Sequence, residues 1–346
     1  MAEPILSVRD LVVRFSLRGQ TLTAIRGASL DLYQGESLAI VGESGSGKSV
    51  LTKSFMDMLD GNGHIDGGTI RFDGENIAAY TTEKEWLKIR GKRIAMVFQD
   101  PMTALSPLMP VGKQIAETLT LHQGLRGRAA KQRAIEILRD VGIVNPEKRY
   151  KQYPHEFSGG MRQRVVIAIA IACNLEILIC DEPTTALDVT IQAQILHLLR
   201  DLQKQYGLTL IYITHDLGVV ANVADRIAVM YAGDIVEIGT SDEIFFDARH
   251  PYTWALLSSL PQLGEHGKDL FAIAGTPPNL FRPVRGDAFA PRNPYALKID
   301  FEYRPPYFEI TPTHKARTWL LDPRAPHIER PTCLDKIAEM GGYIHE

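Results

Sequence analysis

One short segment, Gly42-Glu-Ser-Gly-Ser-Gly-Lys48-Ser49, constrains this chain more than any other part of its sequence. It matches G-x-x-x-x-G-K-[ST], follows an apolar run and precedes residues with helical spacing, which are the contexts that a phosphate-binding loop requires. Glycines let backbone N–H groups turn toward a phosphate without a Cβ clash, and a helix N-terminus adds a positive partial charge. The alternative is an ordinary glycine-rich turn between a strand and a helix. The segment predicts a nucleotide-binding site.

Each residue type in this loop has a chemical reason to be there. Lys48 would contact the β- and γ-phosphates of a nucleotide, and the Ser49 hydroxyl would ligate Mg²⁺. The residues that we assign to nucleotide binding in this segment are Gly42, Glu43, Ser44, Gly45, Ser46, Gly47, Lys48, Ser49 and Val50.

A pair of acids ends a second apolar run, Ile177-Leu-Ile-Cys-Asp181, and Glu182 follows at once. In phosphate-loop enzymes such an aspartate supports Mg²⁺. Adjacent residues at a strand end point in different directions, so the two carboxylates can divide the work. We expect Asp181 on the metal side and Glu182 as the general base that orients and deprotonates the attacking water. The alternative is a strand-terminal acid pair that only faces solvent.

Composition excludes several classes of protein. The 346 residues carry a formal net charge of −3, which argues against a surface designed as a whole to bind a polyanion. Three cysteines without metal-like spacing argue against a secreted disulfide scaffold. The longest apolar stretch falls short of the roughly 20 residues that a membrane span needs. The first residues lack the basic head of a secretory signal, so we expect a cytoplasmic protein.

Strand-like and helix-like runs alternate along the chain, which predicts a parallel sheet. The predicted strands are 5–15, 22–32, 37–42, 93–100, 176–181 and 208–215, with a hairpin-like element at 67–77; the predicted helices are 48–59, 111–141 with a break at 124–127, 158–173 and 189–206. Twelve of the 20 prolines lie in residues 261–346, which predicts a loop-rich tail beyond a boundary between Ser258 and Gly267.

A third motif, Ser158-Gly-Gly-Met-Arg-Gln163, separates families of phosphate-loop proteins. In its order and spacing before Asp181 it resembles the signature of ATP-binding cassette (ABC) ATPases, although Phe157 and Met161 replace the usual first and fifth residues. Four further residues resemble family landmarks: Gln99 the Q-loop glutamine, Asp188 the D-loop aspartate in Ala186-Leu-Asp188, His215 the switch histidine, and Phe15 the aromatic that stacks on adenine. The alternative interpretation of Phe15 and His215 is that both side chains belong to the core.

A narrower resemblance rests on longer strings. Gln99-Asp-Pro-Met-Thr-Ala-Leu-Ser-Pro107, Asp181-Glu-Pro-Thr-Thr-Ala-Leu-Asp188 and His250-Pro-Tyr-Thr-Trp254 resemble the oligopeptide/dipeptide/nickel importer subfamily of ABC ATPases. The tail also resembles that subfamily, through Gly275-Thr-Pro-Pro278 and the Ala290-Pro-Arg stretch.

The resemblance implies a fold and a division into domains. We expect an α/β, ABC-type phosphate-loop ATPase with a RecA-like parallel sheet core, an antiparallel β subdomain and a helical subdomain at about 100–160. Residues 1–260 would form this ATPase domain, and residues 261–346 a proline-rich C-terminal extension. The implied activity is hydrolysis of ATP to ADP and phosphate, coupled to import.

The resemblance also implies how the site residues act. Two subunits would form a head-to-tail dimer in which Ser158, Gly159 and Gly160 bind the γ-phosphate of the ATP held by the partner's phosphate loop. Asp188 would contact the partner. In the same subunit, His215 would hold the γ-phosphate and the water, and Gln99 would sense Mg²⁺ as a metal ligand together with Ser49 and Asp181.

The expected partners are a second ABC ATPase subunit, more often a paralogue than a copy, two integral membrane permeases and an extracytoplasmic peptide-binding lipoprotein. The chain would then lie peripherally on the cytoplasmic face of the membrane and energise uptake of oligopeptides, with dipeptides or nickel as alternative cargo. A different class, a non-transport ABC ATPase that acts on nucleic acid or ribosomes, is disfavoured because only one cassette is present, without inserted coiled coils or zinc fingers. We therefore expect no nucleic-acid partner.

One feature of the tail departs from the subfamily. Many members carry four cysteines there that resemble iron–sulfur ligands, and the corresponding positions are Asp287, Asn293, Asp300 and Thr318. Iron–sulfur clusters need thiolates, whereas these oxygens suit Ca²⁺ or Mg²⁺, so we expect no cluster. Such residues usually cap solvated turns, and a hard-cation site is the alternative. The tail is expected to fold around its own apolar core, with Phe289, Tyr295, Phe301, Tyr307, Phe308 and Trp319 as candidates.

Overall fold

The computed structural model describes residues 3–184, 187–260 and 273–337. The chain forms two compact units. The first comprises residues 1–32, 37–79 and 214–346, and the second comprises residues 33–36 and 80–213. The predicted division at residue 260 is a different partition, and its boundary falls partly on 261–272, outside the described residues. That division therefore stays a prediction.

The strands range in length from two to 13 residues. They are β1 Leu6–Leu17, β2 Gln20–Leu32, β3 Ser37–Val41, β4 Gly63–Phe72, β5 Glu75–Asn76, β6 Ile94–Val97, β7 Ile177–Asp181, β8 Thr209–Thr214, β9 Arg226–Tyr231, β10 Asp234–Thr240, β11 Phe308–Glu309 and β12 Lys315–Ala316.

The helices are α1 Lys48–Ser54, α2 Glu83–Trp86, α3 Pro101–Ala104, α4 Val111–Gln123, α5 Gly127–Asp140, α6 Pro146–Arg149, α7 Gly159–Ala170, α8 Val189–Tyr206, α9 Leu217–Val220, α10 Ser241–Phe246 and α11 Pro251–Ser258. Among the described residues, no helix combines the length and the apolar composition that crossing a membrane demands.

The first unit contains an antiparallel sheet in the order β2-β1-β4-β5. It also contains β3, which carries the phosphate loop at its end and pairs in parallel with β9. Strand β10 pairs antiparallel with β9, and the tail strand β12 pairs antiparallel with β10 in the register Glu237↔Ala316. Part of the tail is therefore built into the same sheet as the phosphate-loop strand.

The second unit contains the parallel strands β6, β7 and most of β8. All five residues of β7 are buried, which explains why its sequence is an apolar run without alternation. Helices α4, α5 and α7 pack on one another through buried residues such as Ile115, Leu119 and Leu138. These helices include the predicted helical segment at 111–141, with its break at Gly124–Gly127.

Most predicted elements lie where the sequence placed them, and helix 189–206 agrees at both ends. The helix that follows the phosphate loop is shorter than predicted, because it ends at Ser54 instead of Leu59. The left-handed backbone of Asp57, with φ of 49°, is incompatible with a continued right-handed helix. Helix α7 begins at Gly159, so both signature glycines lie inside it.

Two aromatic residues of the tail, Phe289 and Tyr295, pack on residues of the first unit that precede the tail. Phe289 is 1% exposed, with ring centroids 5.3 Å from Tyr231 and 5.2 Å from Tyr252. Tyr295 packs edge-on against Trp254. The prediction of a separate tail core is therefore wrong for these residues, since a proline-rich segment with few apolar side chains buries them best against an existing core.

The remaining candidates for a tail core differ in their surroundings. Phe308 and Trp319 pack edge-on against each other inside the tail, as predicted. The Tyr307 hydroxyl donates to the carbonyl oxygen of Ile235 in β10, so this side chain also anchors the tail to the sheet. Phe301 is 55% exposed, and its assignment to a core is wrong.

Candidate nucleotide site

The phosphate loop connects β3 to α1 and takes backbone conformations that require glycine. Gly42 has φ of 154°, and a Cβ at this position would lie 2.1 Å from the carbonyl oxygen of Met230. Gly47 caps α1 with φ of 107°. No residue with a side chain fits at Gly42 without moving β9, so the glycine in the motif is explained by close packing of the loop on its neighbouring strand.

Lys48 is 6% exposed, and its ammonium is held by the loop itself. Nζ donates to the carbonyl oxygens of Gly42 at 2.7 Å and Glu43 at 3.0 Å. These bonds hold a positive charge against the backbone of the loop. Ser46 is 4% exposed, and among the described residues its buried Oγ has no hydrogen-bond partner. A buried hydroxyl without a partner is costly, and a phosphate oxygen is a chemically suitable acceptor for it.

The other residues assigned to the loop differ in exposure. Ser44 and Gly45 are exposed, whereas Ser49 and Val50 are half-buried on the first turn of α1. Exposed backbone at Ser44 and Gly45 suits residues whose N–H groups are to meet a ligand.

Phe15 lies in β1, opposite Gly63 of β4. Its side chain is 9% exposed, and a Cβ on Gly63 would come within 2.5 Å of the ring. Packing in the antiparallel sheet therefore accounts for much of this ring's surface, as the core interpretation requires. Stacking on adenine stays a prediction.

The two acids of the second motif differ in backbone conformation. Asp181 is the last residue of β7 and is 9% exposed. Glu182 has φ of 46°, in the left-handed region, and its N–H donates to the carbonyl oxygen of Ile213 at 2.9 Å. The strand ends at Asp181, so Glu182 lies beyond the alternation of the strand, and the division of roles between the two carboxylates stays a prediction. A non-glycine residue held in this conformation often marks a functional position.

Gln99 lies just beyond β6 and contacts Glu182 directly. Its Nε2 donates to Oε2 of Glu182 at 3.1 Å. That bond uses the nitrogen of the amide, so the carbonyl oxygen, which alone could ligate a metal, is not the atom engaged with Glu182. The sequence separates these residues by 83 positions, and the pairing of β6 with β7 brings them together.

Ser158 is the N-cap of α7, and its Oγ accepts a hydrogen bond from the N–H of Met161 at 3.4 Å. Ser158 and Gly159 are exposed. Gly160 packs closely against α8, since a Cβ there would lie 2.7 Å from Cγ2 of Ile191. The second glycine of the motif therefore has a packing reason as well as any role in binding phosphate.

Asp188 is the N-cap of α8, where Oδ1 accepts from the N–H of Ile191 at 2.9 Å. Ala186, the first residue of the segment Ala186-Leu-Asp188, lies outside the described residues. His215 directly follows β8, is exposed, and belongs to the first unit. The next residue, Asp216, accepts from the N–H of Gly218 and closes the turn after the strand.

Comparison with known proteins identifies the family. The model of a family described as "ABC transporter" matches residues 25–185, and one described as "Oligopeptide/dipeptide transporter, C-terminal region" matches residues 236–299. The oligopeptide transport ATP-binding protein OppD of Bacillus subtilis is 58% identical over 94% of this chain and 92% of its own length. The chain belongs to the ATP-binding proteins of ABC transporters, in the oligopeptide/dipeptide branch.

Other relatives and solved structures agree with this assignment. The oligopeptide transport ATP-binding protein AmiE of Streptococcus pneumoniae is 56% identical over 99% of this chain and 97% of its own length. The structure of cbiO1 from Clostridium perfringens, described as part of an ABC transporter complex, has a TM-score of 0.62 at 30% identity and covers 71% of this chain and 92% of that one. A dimeric ATP-binding cassette bound to ADP and phosphate has a TM-score of 0.61 at 27% identity, over 68% of this chain and 98% of that one.

The predictions of an ABC-type phosphate-loop fold, of membership in the importer subfamily and of ATPase activity are confirmed. As an ABC ATPase of a transport system, this protein binds ATP and works with membrane permeases, and cassettes of this kind dimerise. The individual site residues remain predictions.

Two residues that contact the phosphate loop of this ABC ATPase were not predicted. The N–H of Glu43 donates to the hydroxyl of Tyr252 in α11 at 2.8 Å. The carboxylate of Glu43 pairs with Arg292 in the tail, 249 residues away. Tyr252 and Arg292 lie in two segments that resemble the importer subfamily but to which no role at the site was assigned. A local pattern gives no signal for a contact at such a separation.

The four tail positions that lack cysteine are buried, against expectation. Asp287, Asn293, Asp300 and Thr318 are 9%, 8%, 1% and 2% exposed. Each side chain accepts a hydrogen bond from a backbone N–H two or three residues away, so they do cap turns, although not solvated ones. Burial raises the pKa of Asp287 to about 7, and burial also raises the pKa of Asp300. Among the described residues, no group of acids, histidines and cysteines is arranged to hold a metal ion.

Proposed function

We propose that this ABC ATPase energises the uptake of oligopeptides across the cytoplasmic membrane. The observation that carries the cargo assignment is identity of 58% and 56%, over nearly the whole chain, to two proteins named oligopeptide transport ATP-binding proteins. A relative from Lactococcus lactis that is named for dipeptide transport is 55% identical over 94% of the chain. Dipeptides are therefore the nearest alternative, and nickel follows from the subfamily alone.

The nucleotide would be bound by the phosphate loop. Backbone N–H groups of residues 42–50 would surround the phosphates, and Lys48 would transfer its hydrogen bonds from the loop carbonyls to phosphate oxygens. The partnerless Oγ of Ser46 supports this arrangement, because a phosphate oxygen would satisfy it. Phe15 would contact the adenine.

Mg²⁺ is proposed as the metal that accompanies ATP. The oxygens offered for it are the hydroxyl of Ser49, the carboxylate of Asp181 and the amide carbonyl of Gln99, and hard oxygen ligands of this kind fit Mg²⁺. The ion would neutralise charge on the phosphates. Gln99 is suited to sense it because the nitrogen of the same amide holds Glu182.

Hydrolysis would be carried by Glu182 as the general base. The hydrogen bond from Gln99 restricts the orientation of the Glu182 carboxylate. The backbone of Glu182 is left-handed, whereas Asp181 is the last residue of a strand. His215 would hold the γ-phosphate and the attacking water. The chemistry is mainly positioning and neutralisation of charge, as in other phosphoryl transfers to water.

A second ATPase subunit would complete each site in a head-to-tail dimer. Ser158, Gly159 and Gly160 would contact the γ-phosphate held by the partner, and Asp188 would contact the partner chain. Exposure of Ser158 and Gly159 at the start of α7 supports this role. We favour a paralogue over a second copy as the partner, since the subfamily usually pairs two different ATPases.

The remaining proposed partners are two integral membrane permeases and an extracytoplasmic peptide-binding lipoprotein, with this chain peripheral on the cytoplasmic face. Co-purification from membranes tests them: the two permeases and a second ATPase should be recovered with the tagged chain. Recovery of ribosomes or DNA in their place would contradict the proposal and favour the non-transport alternative.

Cargo is tested by deleting the gene in its host and measuring uptake of radiolabelled tetrapeptide, dipeptide and nickel. Loss of tetrapeptide uptake, restored by the wild-type gene but not by Glu182→Gln, is expected. Loss confined to the dipeptide or to nickel would replace the cargo assignment and leave the ATPase assignment intact.

A further inference from the structure

Arg292 in the tail forms a bidentate ion pair with Glu43 in the phosphate loop. Nη1 of Arg292 donates to Oε2 of Glu43 at 2.6 Å, and Nη2 donates to Oε1 at 2.9 Å. Arg292 has a side chain that is only 4% exposed, and that of Glu43 is 27% exposed. Paired hydrogen bonds between a guanidinium and a carboxylate fix orientation as well as distance. Glu43 is the second residue of the phosphate loop, so this contact bears on the loop itself.

The guanidinium is fully occupied by this arrangement. Besides the two bonds to Glu43, it donates to the carbonyl oxygens of Ala274 and Ile273 and to the hydroxyl of Tyr231. These five hydrogen bonds match the five N–H donors of an arginine. A side chain held in this way has little freedom of its own, and it transmits that rigidity to its partner.

Both tail strings that resemble the subfamily contribute to the arrangement. Arg292 ends the short 3₁₀ turn Ala290–Arg292. Gly275, with φ of 78°, places its backbone so that a Cβ would meet Cγ of Arg292 at 3.3 Å. The two strings therefore meet at Arg292, although 11 residues separate them in the sequence.

Aromatic packing anchors the same turn. Phe289 packs edge-on against both Tyr231 and Tyr252, and the Tyr252 hydroxyl accepts the N–H of Glu43. Glu43 is thus held at its backbone by Tyr252 and at its carboxylate by Arg292. The carbonyl oxygen of the same residue accepts one of the hydrogen bonds from Lys48.

We propose that Arg292 is a positioning residue for the phosphate loop, through which the C-terminal extension holds the loop ready for ATP. The inference rests on the proposed role of the loop in binding nucleotide. Arg292 contacts the loop and not the reacting atoms, so it acts through Glu43. Without it the loop must be ordered when the nucleotide binds, and that ordering weakens binding of ground state and transition state alike.

Nucleotide binding by the purified full-length chain tests the proposal, with a fluorescent ATP analogue as the probe. Arg292→Met keeps much of the side-chain volume and removes the guanidinium. We expect its Kd for the analogue, and its KM for ATP in the assembled transporter, to rise about tenfold or more, with kcat within about twofold of wild type. Hydrogen exchange at the amides of residues 43–48 should become faster.

Arg330→Met is the matched control. Arg330 also anchors the tail, through the carbonyl oxygen of Phe246 at the end of α10 and not through the phosphate loop. Its Kd and loop exchange should equal those of wild type, even where its Tm falls. Equal affinity in Arg292→Met and Arg330→Met would overturn the proposal and assign Arg292 a merely structural role. A wild-type chain that fails to bind the analogue would contradict the proposed function instead.

If Arg292→Met does not fold, a second variant, Glu43→Gln, tests the proposal. Glu43→Gln leaves the tail and the arginine in place and removes the partner charge, so it should raise Kd in the same direction. Where all variants fold, the double variant Arg292→Met/Glu43→Gln should bind no more weakly than the weaker single variant, because the residues act as one unit. Additive losses, or unchanged affinity in Glu43→Gln, would show that the pair does not position the loop.

Discussion

Nε2 of Gln99 donates a hydrogen bond to Oε2 of Glu182 over 3.1 Å, which links the residue beyond β6 to the acid beyond β7. The amide nitrogen contacts the proposed general base, and the amide oxygen is the atom that we propose as a ligand of Mg²⁺. A change in one contact therefore alters the orientation of the other. This single bond gives a physical route by which metal binding and the base can be coupled.

Glu182→Gln keeps the shape of this contact and removes the base. We expect the ATPase rate to fall about a hundredfold or more while ATP still binds, because general-base catalysis contributes about 10²–10⁴-fold. Steady-state phosphate release and binding of a fluorescent ATP analogue measure the two quantities. Glu147→Gln is the control and should leave turnover unchanged, because Glu147 is an exposed acid that pairs with Arg139. A loss below tenfold in Glu182→Gln would reject the assignment.

Lys48→Ala should weaken nucleotide binding itself. It removes the ammonium that the loop carbonyls of Gly42 and Glu43 now hold in place for phosphate. The Kd for ATP should rise at least about tenfold, equivalent to about 1.4 kcal/mol, measured by titration of the purified chain. Lys53→Ala, in the last turn of the same helix, should bind ATP as wild type does. Unchanged affinity in Lys48→Ala would remove this lysine from the site.

Ser158→Ala should impair hydrolysis at the partner's site and also cost about 1 kcal/mol of stability, because it removes an N-cap. Thr82→Ala separates the effects, since Thr82 caps α2 with a hydrogen bond of the same 3.4 Å length. We expect a similar stability loss in both variants and a loss of turnover only in Ser158→Ala. Assembly with a wild-type partner, followed by single-turnover assays, shows which site fails. A defect confined to the variant's own phosphate loop is the outcome that this model forbids.

Asp287→Asn tests the buried acid of the tail through the pH dependence of unfolding. The folded-state pKa of Asp287, about 7, lies above the usual value of 3.8 because burial disfavours the carboxylate. Between about pH 4 and 7 the folded chain therefore holds a proton that the unfolded chain has lost. Stability from this group is fully present below that window and declines as pH rises through it, by at most about 1.4 kcal/mol per pH unit.

Thermal unfolding at pH 5, 6, 7 and 8 measures this effect. The wild type should lose stability with rising pH relative to Asp287→Asn, with most of the difference developed by pH 7. Asp322→Asn is the control in the same tail, because hydrogen bonds from Arg324 lower the pKa of Asp322 to about 2, outside this range. Parallel profiles for wild type and Asp287→Asn would show that Asp287 does not titrate as its burial requires.

The local features of this protein can be predicted from its amino-acid sequence alone. A glycine-rich loop between a strand and a helix, an apolar run that ends in two acids, and a helix at 189–206 are set by side-chain periodicity and by the backbone freedom of glycine, and both are properties of neighbouring residues. Together with the signature motif they sufficed to predict the fold and the family.

The effect of distant segments on these motifs depends on the packing of the folded chain. The contact of Arg292 with Glu43, the hydrogen bond of Gln99 to Glu182 and the burial of Asp287 each depend on strands and turns that are far apart in the chain. The left-handed backbone of Glu182 is likewise imposed by its surroundings, since nothing in Asp-Glu-Pro requires it. Such contacts are selected by packing of the whole unit, and local periodicity carries no information about packing at that range.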